Sequence, residues 1–176
     1  LSVAVKQERR MPLLIAAAQL AEDRLEDPNA ALAYYGEILE LDRKSSIALS
    51  ALRRLTQQTE RWDDFVGVMT LSAETAENPA EAAQMLLSAA KVQHERMHVT
   101  DRALLLLLKA LEYAPEDLTV LKEIEWLYEQ NQRYDEVVKV LRREAEGMIV
   151  PKEADEAVEN KSPVVGGVSD PEHPQP

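Results

Sequence analysis

The chain has 176 residues, with 32 acidic against 20 basic side chains, no cysteine and only 5 glycines. A formal net charge of −12 argues against nucleic acid and anionic membrane surfaces as partners, since both need a cation-rich face. Without cysteine there is no disulfide and no thiolate chemistry, and a composition rich in Ala, Leu and Glu with 5% aromatics favours helices over strands.

The first eleven residues read as the end of a preceding repeat helix. The chain opens on Leu1 rather than Met, and Leu1–Glu8 resembles the stretch before Glu74 or Glu146, so the expectation is an excerpt of a longer protein. Apolar residues at three- and four-residue spacing then predict helices over 12–25, 29–42, 46–58, 62–76, 80–97, 101–113, 117–130 and 134–148. Asp27-Pro28-Asn29, Asp42 to Ser46, Asn78-Pro79 and Ala114 to Asp117 stand between them as caps and breakers. From 149 to 176 the composition turns acidic with Pro and Gly, which predicts a disordered tail or linker, with room for a short helix at 152–160. No apolar run approaches the ~20 residues a membrane span needs, so direct membrane insertion is not expected.

Residues 14–74 recur 72 positions later as 86–146. Identical pairs include Leu14/Leu86, Arg24/Arg96, Ala31/Ala103, Leu55/Leu127, Arg61/Arg133 and Val66/Val138, while Trp62/Tyr134 and Leu52/Ile124 are conservative. A register held that long implies a stack of like units, each burying its core against its neighbours. The unit halves again: Ala31 to Phe65 and Ala103 to Val137 are both 34 residues apart, and each half reads as two amphipathic helices.

A 34-residue helix pair with these residues resembles the tetratricopeptide repeat (TPR). Ala31, Tyr35, Ile38 and Leu39 match the family's second-helix positions, as do Ala103, Leu107, Ala110, Leu111 and the closing Pro115. The resemblance spans 12–148 as repeats at 12–45, 46–79, 84–117 and 118–148, with Ala80–Ala83 lengthening the helix that enters the third. Departures are the first-helix small position, here Gln19, Arg53, Lys91 and Glu125, and the second-helix small position in the even repeats, here Phe65 and Val137. The resemblance implies an all-α, right-handed solenoid of antiparallel helix pairs that binds other proteins or peptide segments in a concave groove lined by first helices.

By register that groove holds Leu13, Ala16, Leu20 and Arg24, then Ile47, Ser50, Arg54 and Gln58. Met85, Ser88, Val92 and Arg96 follow, and then Thr119, Lys122, Trp126 and Gln130. Apolar positions dotted with Arg and Lys suit a peptide or amphipathic helix bearing carboxylates. Trp126 stands where Arg54 stands in the first unit, which makes it a candidate anchor, with packing under the last helix as the plainer reading. Trp62 and Tyr134 are expected to be packing residues, and Leu104–Leu108 to form a central helix packed on both faces.

His94-Glu95-Arg96-Met97-His98 matches H-E-x-x-H, in which two histidines one helical turn apart hold a catalytic zinc. Its register mate is Glu22-Asp23-Arg24-Leu25-Glu26, an ordinary acidic segment, so solvated histidines are expected rather than a zinc hydrolase. No motif calls for a cofactor. The expected function is a non-catalytic interaction scaffold, the alternative being a structural spacer that stacks end to end or self-associates.

Overall fold

The structure is a computed structural model that describes residues 3–148. The tail expected over 149–176 lies outside the described residues. Among the described residues eight helices follow one another: α1 (Val3–Asp23), α2 (Pro28–Leu41), α3 (Ser46–Gln58), α4 (Trp62–Thr75), α5 (Pro79–Glu95), α6 (Thr100–Tyr113), α7 (Leu118–Gln130) and α8 (Tyr134–Met148). Each packs on the helix before and the helix after it, and no strand occurs among the described residues. This is an all-α helical-repeat solenoid. No helix among the described residues is long and apolar enough to cross a membrane.

Local chemistry sets most boundaries. The side chains of Asp27, Ser45, Asn78 and Asp117 accept hydrogen bonds from first-turn N–H groups of α2, α3, α5 and α7, and Pro28 and Pro79 sit where no N–H is needed. α5 has 17 residues against 13 in α3 and α7, as the extra Ala80–Ala83 segment predicts. α1 differs from the sequence reading. It runs unbroken through Pro12 from Val3, so residues 3–11 are part of α1 rather than the end of a separate helix.

The four first helices end alike. Glu26, Glu60, His98 and Gln132 all adopt left-handed backbone, with φ between 51° and 59°, and they too are spaced by 72 within each pair. The next residue's N–H reaches back to the last turn: Asp27 donates to Ala21, Arg61 to Thr56, Val99 to Gln93 and Arg133 to Tyr128, each at 2.9 Å. A non-glycine residue there costs on the order of 1 kcal/mol. His98→Gly is therefore expected to raise the melting temperature by about 2–4 °C in a circular-dichroism melt, given the usual entropy of unfolding at this size.

The core falls into blocks that follow the double repeat. Ala18, Ala31, Tyr35, Ile38, Ala48 and Leu55 knit α1–α3, while Leu86, Leu107, Val120, Ile124 and Leu127 centre the block from α5 to α8. A small cluster of Phe65 and Met69 from α4 and Ala89 from α5, flanked by Met85 and Val92, joins the two. Buried alanines let these helices approach closely. The ion pair of Lys109 with Glu74, at 2.9 Å, ties α6 to α4; it holds the Glu74 carboxyl below its usual pKa and the Lys109 ammonium above its own.

The five-leucine run is not packed on both faces. Leu104 and Leu107 are buried, but Leu105 is 66% exposed and Leu108 44%. α6 lies with one side toward α5 and α7, and its other side meets solvent.

Candidate functional site

The odd-numbered helices α1, α3, α5 and α7 form one layer, and side chains bridge it across successive repeats. Arg54 of α3 pairs with Glu22 of α1 at 2.5 Å. Their register mates are Trp126 of α7 and His94 of α5, whose rings meet edge to face with centroids 5.2 Å apart. One position pair thus links neighbouring repeats twice, through charge in the first unit and through rings in the second. Lys91–Glu123 at 3.4 Å and the hydrogen bond from Gln84 Nε2 to Asp117 at 3.0 Å add to the α5–α7 contact.

Trp126 does not lie under α8. It is 43% exposed, with Lys122 exposed one turn before it. Arg54 is committed to Glu22, whose hydrogen bond is the main reason its pKa rises, and the same Glu22 adds to burial in pushing Tyr35 up. Arg54, expected as a cation available to a ligand, thus meets Glu22 across the layer with its side chain still half-exposed. Arg53, next along α3, makes no ion pair among the described residues, nor does Lys122. Arg53, Ser50 and Met85 line a cleft of about 250 Å³ between α3 and α5 with Met69 at its base, and Ser88 lines its continuation.

Other predicted groove residues lie elsewhere. Val92 is half-buried against Phe65 and Met69 of α4, a cluster that Met85 also reaches from the cleft, and the Arg96 guanidinium sits 5.5 Å from the Trp62 ring centroid, so Val92 and Arg96 serve the α4–α5 joint. Leu13, Leu20 and Arg24 are their register mates on α1 and are exposed. Ile47 and Thr119 are exposed at the starts of α3 and α7, Gln58 and Gln130 at their ends, and Ala16 is exposed on α1. Trp62 packs, with Phe65 edge-on at 6.3 Å, but Tyr134 is 62% exposed and is no packing residue within the described chain.

The H-E-x-x-H segment does not form one helical face. α5 ends at Glu95, His98 has φ 59°, and His94 Nδ1 lies 3.2 Å from Thr100 Oγ1. Without a glycine stop signal, sequence periodicity carried that helix two residues too far. No cluster of three or more metal-binding side chains occurs among the described residues.

A cleft of about 490 Å³ on the opposite side, between α2 and α4, was not foreseen; Ala33, Thr56 and Gly67 open it. In the second unit Leu105, Tyr128 and Lys139 take those positions, and Tyr128 stacks under Arg133 at 4.8 Å. Comparing the two units position by position was the signal that could have found it.

No protein-family model matches the chain, and no curated protein matches it. Among solved structures it is similar to a crystal structure of MamA, with a TM-score of 0.49 and 19% identity over 84% of this chain and 80% of that one. A second crystal structure, of MamA protein, has a TM-score of 0.49 and 18% identity over 92% of this chain and 83% of that one.

Proposed function

We propose that this chain is a protein-interaction module of four TPR-like repeats, at 12–45, 46–79, 84–117 and 118–148, that binds an acidic amphipathic peptide or helix on its odd-helix face. One observation carries the reading: Trp126 stands partly exposed on that face beside Lys122, with the unpaired Arg53 at the neighbouring α3–α5 cleft. Two free cations and an aromatic anchor on one face of a chain of net charge −12 favour a ligand with carboxylates over a basic one. The solenoid supplies a rigid support, so little ordering is needed on binding.

The test is fluorescence anisotropy with a labelled amphipathic helical peptide bearing Glu on its polar face, against the same peptide bearing Lys. The Glu peptide is expected to bind and the Lys peptide not to. Trp126→Ala should weaken binding about tenfold or more, the scale of a hot-spot truncation. Arg53→Ala should weaken it less and flatten its salt dependence. Equal binding of both peptides, or affinity indifferent to both substitutions, would remove the reading.

A further inference from the structure

The first and last described helices, α1 and α8, carry the two halves of a joint that the chain already makes internally. At the α4–α5 joint, Phe65, Val66 and Met69 of α4 meet Met85, Ala89 and Val92 of α5, and Arg96 lies over Trp62. Moved forward by 72 residues, the α4 half becomes α8, with Tyr134 for Trp62, Val138 for Val66 and Leu141 for Met69. Moved back by 72, the α5 half becomes α1, with Leu13 for Met85, Leu20 for Val92 and Arg24 for Arg96.

Val137, which answers to Phe65, is buried in the chain's own core, but the larger apolar side chains around it and their α1 counterparts are uncovered among the described residues. Met69 is 4% exposed but Leu141 is 45%, and Val138 is 64%. Leu13 and Leu20 are 71% and 57% exposed, whereas Met85 and Val92 are half-buried. Large apolar side chains gathered this way on a helix face mark an interaction surface.

We propose that the chain associates head to tail with copies of itself, α8 of one copy seating on α1 of the next as α4 seats on α5. The complementarity holds residue by residue: Val138 and Leu141 meet Leu13 and Leu20, and Arg24 covers the Tyr134 ring. The Lys109–Glu74 strut has no counterpart, because Lys109 answers to Glu37, which Arg10 engages. The contact is therefore mainly apolar. It is also heterologous, so it does not close at two copies. This surface is separate from the Trp126 face and stands or falls independently of it.

The test is sedimentation velocity of the full chain over a concentration series, with Leu20→Asp disabling the α1 end and Val138→Asp the α8 end. Both sites are exposed, and circular dichroism is used to check that each variant folds. Wild type is expected to grow in average mass with concentration without levelling at two chains, and each variant alone to remain a single chain. An equimolar mixture of the variants should form a pair and no more, since each supplies one intact end. A wild type that stays single at every concentration, a single-end variant that still associates, or a mixture that stays single would overturn the proposal. If wild type stays single and Val138→Asp instead lowers the melting temperature, the chain's own C-terminal residues cover α8, and the second copy is excluded.

Discussion

Leu107→Ala is expected to destabilise the fold by about 3 kcal/mol, lowering the melting temperature by roughly 6–12 °C. Leu107 is fully buried at the centre of the larger core block, among Leu86, Val120 and Ile124. Truncation would remove its contacts and leave a cavity that helices pinned on both sides cannot close. The neighbouring Leu105→Ala should change stability by no more than about 0.5 kcal/mol, because Leu105 projects into solvent. Leu104→Ala should fall near Leu107→Ala, and Leu108→Ala near Leu105→Ala. Four chemically identical truncations in one helix, followed by thermal melts, read out which side of α6 is core. A uniform loss along the run would mean that both faces are packed.

The converse experiment fills space rather than removing it. Ala103 and its register mate Ala31 are both fully buried on the second helix of their pairs. Ala103→Leu is expected to cost about 2–3 kcal/mol, since the added carbons must displace close-packed neighbours, and Ala31→Leu should cost about the same. Ala33→Leu is the control. Ala33 is exposed at the cleft between α2 and α4, and its register mate is already a leucine, Leu105. That change should be neutral within about 0.5 kcal/mol. Three alanine-to-leucine melts therefore test whether the repeat register places side chains correctly in both units. An unstable Ala33→Leu, or a tolerated Ala103→Leu, would break the register.

The helices were legible because their signals are local. Asp27, Asn78 and Asp117 cap where the sequence says they should, and the 72-residue register aligns the two core blocks residue by residue. Three features were not legible. The left-handed turns at His98 and its three counterparts carry no glycine, so periodicity alone ran α5 through to Met97 and made the histidine motif look helical. That Arg54 is paired while Arg53 is not depends on a 2.5 Å contact to Glu22, 32 residues away, which no spacing rule contains. Val92 and Arg96 share one helix stripe with Met85, and in a double repeat that stripe also meets the preceding helix, which no spacing rule announces. On α1 the corresponding Leu13, Leu20 and Arg24 are exposed.

The most direct test of the interaction reading uses the chain's two tryptophans, Trp62 and Trp126, as separate reporters. Their indole N–H resonances are followed by NMR as the Glu-faced amphipathic peptide is added to saturation. Trp126 lies on the odd-helix face beside His94, whereas Trp62 is engaged by Phe65 and Arg96 at the α4–α5 joint. The account predicts that the Trp126 indole signal shifts or broadens while that of Trp62 holds its place. Movement of Trp62 alone, or no movement of either at saturation, would contradict it.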